Sequence, residues 1–388
     1  MQTHTYLEES LLKIFLLIHL NLSKPLRSTL SELVACLLEN NKAHISKLGE
    51  ILSIDGTNVM GCIQRIRRFL SNKRISPSLI LVPLIRLMRP LLEKLPEIVL
   101  IMDRTDWKKR CKHINILSVA VSYKGRALPL FWTVSGRKGN SSLDQWKRIL
   151  APVIEALQQM EWLSGKLIHI VADREFASPK LAEWLKTTYN NVDATLRIKA
   201  SMYLSSDGIP ETKVASLIQK MVKDTRYLLR NQILTRDSTF KMSVLLTWKK
   251  EYDEPLIVAT TSDNPNRADK VYGMRFGIEP MHKDWKTNAF ELEKTRVTDP
   301  KRIETLLIPI AFAYILCVLA GEQKEKVGDV RKPPEGKTRM VGLFLDGIRT
   351  ISKYLRRATV EKFRDLILVL ILPLCKAWDV HPSKVLPD

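Results

Sequence analysis

Cysteine is scarce in this chain. Five residues, Cys36, Cys62, Cys111, Cys317 and Cys375, stand far apart in 388. They form no CxxC pair and no zinc-like spacing, which excludes a disulfide framework and a structural zinc site and fits a reducing compartment. Negative charge is also short, with 41 acidic residues against 62 lysines and arginines. A long hydrophobic run is missing. The longest apolar stretch, Thr305 to Gly321, is seventeen residues with Pro309 inside. That is the lower limit for a membrane span, and a second stretch, Leu366 to Leu374, is too short. Both read as buried core helices. The N-terminus places Glu8 and Glu9 before its apolar run and lacks the small-residue cleavage site of a secretory signal. No internal repeat or extended low-complexity segment is present.

What remains is a chain of globular composition, 45% hydrophobic and 27% charged, long enough for two or three domains. Its formal net charge of +21 is spread along the sequence and is not gathered in a tail. Such a surplus points to a polyanionic partner, either nucleic acid or an anionic membrane surface.

Residues 1–95 are rich in Leu, Ile and Arg, lack strand-like alternation and are predicted mostly helical. Within them His44–Leu52 and Thr57–Leu70 read as two short helices joined by the turn signal Ser53-Ile54-Asp55-Gly56. This resembles a helix-turn-helix whose second helix carries Gln64, Arg65, Arg67 and Arg68, a DNA-binding arrangement. A plain helical hairpin with a basic face has the same pattern.

At Pro96 the texture changes. Glu97–Met102, Ile114–Tyr123 and Ala127–Val134 read as an antiparallel meander, the first strand ending at Asp103. A helix follows over Ser141–Met160, then a strand, Leu167–Ala172, ending at Asp173. A second helix covers Ser178–Thr188, with Ser178 as cap and Pro179 at the first helical position. Ala194–Lys199 is a fifth strand. Three strands, helix, strand, helix, strand is the order of a ribonuclease H-like fold. The fold class expected is therefore α/β: a ribonuclease H-like mixed sheet with a β-rich insertion at about 200–262, flanked by N-terminal and C-terminal helical regions. The catalytic domain would span 96–321, and 322–388 would hold a polar linker followed by two helices.

Candidate chemistry concentrates near residue 280. Tyr272, Arg275, Glu279 and Lys286 have the spacing Y-x2-R-x3-E-x6-K, which on an ideal helix places them within an arc of ~60°. A lone carboxylate between cations suits a phosphate-bound metal; a solvated helix face with an i,i+4 Arg–Glu pair gives the same pattern. Pro280 is expected to start a helix with Glu279 at its mouth, so that only Glu279 and Lys286 firmly share a face. Asp103, Asp173 and Glu279 make an oxygen-only donor set, suited to Mg²⁺ or Mn²⁺. Two such ions about 3.5–4 Å apart support in-line attack on a phosphodiester. Arg275 and Lys286 would hold backbone phosphates beside them, with Tyr272 adding a hydrogen bond. Glu175 and Asp106 lie near this site, His282 is expected at the surface or near DNA and not as a ligand, since hard cations prefer oxygen, Trp285 in the core, and Lys199 in solvent or against DNA.

Four passages carry a family resemblance: Ile101 to Trp107 around the first Asp, Ala127 to Trp132 in the third strand, Ala172 to Ser178 (ADREFAS) around the second Asp, and Tyr272 through Lys286. Together with Arg67 to Asn72 they extend the likeness from about residue 40 to 320. On these residues the chain resembles bacterial insertion-sequence transposases of the DDE superfamily, in the group defined by the Y-R-E-K signature. The resemblance implies that Asp103, Asp173 and Glu279 bind two catalytic Mg²⁺ or Mn²⁺ ions. It implies that Tyr272, Arg275 and Lys286 position phosphates of double-stranded DNA at transposon ends. It further implies nicking at terminal inverted repeats, joining of the 3′-hydroxyl to target DNA, a cut-and-paste route through a hairpin, a homodimer on paired ends, and a bacterial cytoplasmic setting without a membrane. Relatives often carry a Trp in the strand before the signature; here Pro255 to Thr260 contains no aromatic, and Trp248 in the preceding strand reads as a core or edge residue. A ribonuclease H-like nuclease without strand transfer, or an inactive domesticated DNA-binding protein, are the alternatives.

Overall fold

The structure, a computed structural model, describes residues 3–53, 58–109, 112–206, 209–235, 238–327 and 342–387. The expected turn at Ile54-Asp55-Gly56, Cys111 and most of the proposed linker lie outside these residues. The N-terminal region is helical as expected: α1 (Thr3–Leu17), α2 (Lys24–Asn40), α3 (Ile45–Leu52), α4 (Val59–Leu70), α5 (Pro77–Leu87) and a single turn, α6 (Arg89–Leu92). Local chemistry fixes the starts. Asn58 caps α4 by accepting from the Met60 N–H at 2.9 Å, and prolines occupy the first turns of α2 and α5, where an N–H has no helical partner. α4 is two-faced: Cys62, Ile66, Phe69 and Leu70 are buried, while Gln64, Arg67 and Arg68 are exposed. Arg65 does not join them, because its guanidinium pairs with Glu32 at 2.7 Å.

The chain then alternates: β1 (Ile98–Lys109), β2 (Lys112–Tyr123), β3 (Arg126–Ser135), α7 (Leu143–Gln158), β4 (Ile168–Ala172), α8 (Pro179–Thr188), β5 (Val192–Arg197), β6 (Tyr203–Ser206), β7 (Ile209–Lys213), α9 (Val214–Gln219), β8 (Thr225–Leu234), β9 (Lys241–Trp248) and β10 (Leu256–Thr260). The last elements are α10 (Ala268–Gly273), α11 (Ile278–Lys283), α12 (Pro300–Val327), α13 (Leu343–Arg357) and α14 (Val360–Ala377). α7 begins with a capping box between Ser142 and Gln145, and Ser178 caps α8 ahead of Pro179.

All ten strands join one sheet in the order β3-β2-β1-β4-β5-β10-β9-β8-β6-β7. The first five form the expected mixed core: β1, β2 and β3 are antiparallel, whereas β1–β4 and β4–β5 are parallel. β4 is buried at every position, as a central parallel strand covered on both faces must be. The expected β-rich segment is present, and its strands continue the same sheet. β10 pairs antiparallel with β5, and β9 and β8 follow, so the segment extends the mixed sheet outward. β6, β7 and α9 are too short to leave a readable period in the sequence.

α12 runs six residues beyond 321 and replaces the start of the expected linker with helix. It is the one helix among the described residues long and apolar enough to cross a membrane, and its most apolar window is wholly buried. It packs against α2, α4, α5, α13, α14 and β3, so N-terminal and C-terminal helices form one layer around it. A Cβ at Gly321 would run into the Leu343 backbone, and one at Gly347 into that of Cys317, so α12 and α13 meet through glycine contacts. The Leu366–Leu374 stretch is a correction: within α14, Ile367, Leu370 and Ile371 are buried, but Val369 and Leu372 are exposed.

Candidate active site

The site starts at the end of a ladder. β1 and β4 pair in parallel from Ile98↔Ile168 to Met102↔Ala172, and the next residue on each strand is an aspartate. Asp173 leaves its strand there. Asp103 does not, contrary to the sequence expectation: β1 continues to Lys109 and Asp103 pairs across to Ser118 on β2. The two acids thus stand together where the parallel ladder stops, the usual place for function in such sheets.

Glu279 arrives from a helical path longer than expected. α10, a 3₁₀ turn over Met274–Gly277, α11 and a π-helical turn over Asp284–Asn288 follow one another without a break. The helix does not begin at Pro280; α11 begins at Ile278, and Pro280 is accommodated within its first turn, where a missing N–H costs little. Gly277 lets this path press on the sheet, since a Cβ there would lie 2.9 Å from the carbonyl of Arg126.

Arg275 joins the three acids. Its guanidinium donates to Asp103 Oδ2 at 3.0 Å and to Glu279 Oε1 at 2.9 Å, and lies 3.9 Å from Asp173 Oδ2. The Tyr272 hydroxyl donates to Asp173 Oδ1 at 3.0 Å. Arg275 and Tyr272 are buried, whereas Glu279 is more than half exposed. The face expected to be weak, Tyr272 to Glu279, is therefore the one that converges. Lys286 departs from it: Nζ donates to the Asp106 carbonyl at 3.0 Å and pairs with Glu293 at 3.3 Å. The π turn explains this, because its i→i+5 bonding resets the angular spacing on which the arc was calculated.

Electrostatics separate the two aspartates. Burial pushes Asp103 up to about 6, against the pull of Arg275 and the Arg104 N–H. Asp173 also suffers desolvation, but the Arg174 N–H, Arg275, Tyr272 and Arg197 together hold it below the ordinary carboxylate value. Burial, with Asp173 beside it, pushes Tyr272 up to about 12. Environment thus divides two like groups, a common preparation for chemistry.

Other residues were less legible. His282 is buried, not at the surface, and burial lowers it to about 3. Its Nε2 lies 3.0 Å from Ser118 Oγ, and that hydroxyl donates to the Asp103 carbonyl at 3.3 Å. With its proton committed there, Ser118 accepts from His282, which fixes the Nε2–H tautomer and ties α11 to β1. Ser118 and His282 carry no motif of their own; only the cross-strand register and the turn after Glu279 bring them together. Arg197, also missed, lies 3.9 Å from Asp173. Arg126 anchors the π turn through Asp284 at 2.7 Å. Glu175 accepts from Arg104 and from Ser141, and so braces the loop after Asp173. Asp106 and Lys199 are exposed. Trp285 is buried as expected, edge-on to Trp132. Trp248 is half-buried and donates to the Tyr252 carbonyl at 3.0 Å. A pocket of about 350 Å³ beside Tyr272 includes Arg197, Lys249, Tyr252, Lys270 and Phe276, with the Tyr252 and Phe276 rings exposed.

The donor set suits a hard divalent cation: three carboxylates, no thiolate or imidazole. Burial outweighs the pull of Arg275 in setting the raised value of Asp103. The Arg275 guanidinium is the positive charge among these acids. As arranged around it, no three Asp, Glu, His or Cys side chains among the described residues form a metal-holding group.

The chain belongs to the transposase DDE domain family, which matches residues 94–316, more than half of its length. By class it is a DNA transposase, an enzyme of the nuclease and nucleotidyl-transfer kind. The chain is also similar to a piggyBac transposase solved as a synaptic complex with hairpin DNA, at 13% identity and a TM-score of 0.45, covering 99% of this chain and 83% of that one. No curated protein matches it.

Proposed function

We propose that this transposase belongs to the Y-R-E-K group, serves a bacterial insertion sequence, and cuts DNA at terminal inverted repeats with Asp103, Asp173 and Glu279. The observation that carries this reading is the meeting of those acids, from two adjacent strands and one helix, on a single guanidinium. The acids would hold Mg²⁺ or Mn²⁺, two ions in all. Bound there, the ions would neutralise charge on the phosphodiester and acidify the attacking hydroxyl.

The chain's own residues do the rest. Arg275 releases the carboxylates and turns its fork to a phosphate, for which its bidentate geometry is suited. The Tyr272 hydroxyl, kept protonated by its raised pKa, donates to Asp173 and holds that side chain still. Lys286 contacts the DNA backbone beyond Glu279, from its seat at the Asp106 carbonyl. A hairpin route requires a stacking surface for a displaced base. Tyr252 and Phe276 supply exposed rings beside Tyr272, in place of the aromatic that β10 lacks. Two copies act on paired ends, and the freed 3′-hydroxyl is joined to target DNA.

Cleavage of a duplex carrying the terminal repeats, in Mg²⁺ or Mn²⁺, tests this. Glu279→Gln is expected to lower the rate by about 10³-fold or more while DNA binding persists; cutting that survives the change removes Glu279 from the site. A second reading is a DNA-binding protein without cleavage, in which Arg275 remains the permanent counter-charge of the acids. Repeat binding without cutting under either metal selects that reading.

A further inference from the structure

A second charged feature lies outside the acid site. Between α4 and the chain leading into α12 runs a cleft of about 870 Å³. The start of α3 contributes Lys47, α4 contributes Arg67, and the 294–302 segment contributes Lys294, Arg296 and Arg302, against one lining acid, Asp299. That acid is occupied, since its carboxylate accepts the Arg302 N–H at 2.8 Å and caps α12. Lys47 pairs with Glu50 at 2.8 Å and Lys294 with Glu291 at 2.9 Å. Arg67, Arg296 and Arg302 are exposed, and their guanidinium groups have no acceptor among the described residues.

We propose that this cleft is a docking track for the sugar-phosphate backbone of duplex DNA, distinct from the acid site and reading no sequence. The proposal rests on the transposase reading of the chain. Three observations carry it. The first is charge: three guanidinium groups without an acceptor among the described residues, from two distant stretches of chain, line one concavity, which makes it attractive to a polyanion. The second is preformation. The Ala43 N–H donates to the Phe290 carbonyl at 2.9 Å, and Glu291 lies 3.4 Å from His44 Nε2 and 4.0 Å from Lys42 Nζ. These interactions fix α3 against the 290–294 turn, so the walls stand in place before any ligand arrives and little ordering is needed on binding. The third is continuity. Glu293, which pairs with Lys286, is the neighbour of Lys294, so the cleft begins where the interactions of the acid-site helix end.

The lining also says how DNA is held. α4 gives Arg67 to the cleft but neither Gln64 nor Arg68. A helix seated to read bases would present its outward face to a groove. Here one edge of α4 and a loop grip phosphates instead, and such interactions fix register without carrying sequence information.

The test is the salt dependence of duplex binding, followed by fluorescence anisotropy on a repeat-end duplex and a scrambled duplex. The variant Arg67→Gln/Arg296→Gln/Arg302→Gln is expected to lower the slope of log K against log salt by about 1 for each arginine–phosphate pair removed, equally on both duplexes. A control of equal charge change outside the cleft, Arg357→Gln/Lys362→Gln/Arg364→Gln, should leave the slope unchanged. Equal reductions in both variants would mean net charge alone and overturn the proposal, as would an unchanged slope in the cleft variant. Competition by polyglutamate as effective as by duplex overturns it too. Failure of the wild-type chain to bind any duplex is a different result, visible before any substitution, and would bring down the transposase reading itself. If the triple variant does not fold, Arg296→Gln and Arg302→Gln singly should each shift the slope by about 1.

Discussion

At the junction of β1, β4 and α11 one guanidinium serves three carboxylates; in the cleft beside α4 three guanidinium groups have no carboxylate among the described residues. The contrast follows burial. Arg275 is buried, and a buried cation without partners carries a large desolvation cost, so the acids and the arginine must balance one another in the absence of ligand. The cleft arginines lie in water, where an unpaired charge costs little and remains available to a ligand. On the function proposed above, the acid site would have to exchange an internal cation before it could work, whereas the cleft arginines would have no carboxylate among the described residues to give up.

The strongest way to break this comparison is to remove the buried cation. Arg275→Ala should destabilise the fold by about 3 kcal/mol in chelator, because it leaves buried Asp103 uncompensated. Added Mg²⁺ or Mn²⁺ should recover part of that stability, and urea denaturation with and without the ion measures both. Stability unchanged in chelator would show that the acids are already shielded and that Arg275 is not their counter-charge. A smaller effect sharpens the role of the turn that follows. The depressed pKa of His282 contributes stability that is present above its unfolded value near 6.5 and is lost as pH falls towards the folded value of about 3. From pH 7 to pH 5 this group alone should remove about 2 kcal/mol, and His282→Gln should flatten that part of the pH profile. His169, lowered to about 4 by burial, acts with the same sign and remains in the variant. The least effect belongs to the cleft: Arg67→Gln, Arg296→Gln and Arg302→Gln should each shift stability by no more than about 0.5 kcal/mol, while DNA affinity falls. A large drop in stability there would mean that these side chains have partners within the fold.

Strand order, the two aspartates and the glutamate were legible because each depends on local pattern. An apolar run followed by Asp marks the end of a buried ladder, and the Y-x2-R-x3-E spacing survives folding because α10, the 3₁₀ turn and α11 remain continuous. Lys286 escapes the pattern for an equally local reason, since nothing in Asp284-Trp285-Lys286-Thr287-Asn288 announces a π turn. From the sequence His282 is expected at the surface or near DNA because hard cations prefer oxygen ligands, a rule that says nothing about burial. Its partner is 164 positions away on β2, and a long-range pair of that kind leaves no periodicity to read.

The sequence by itself determined which side chains meet at a ladder's end, which helices are amphipathic, and that the chain carries far more positive than negative charge. Those properties follow from the order of residues and the two short periods of helix and strand. Tertiary structure alone decided that the late strands join the catalytic sheet, that the outer helices share α12 as a common core, that Arg275 stands among the acids, and that Arg67 shares a cleft with Arg296 and Arg302. Each of these couples residues tens to hundreds of positions apart, and such pairings are fixed by the packing of whole elements, not by the chemistry of neighbours along the chain.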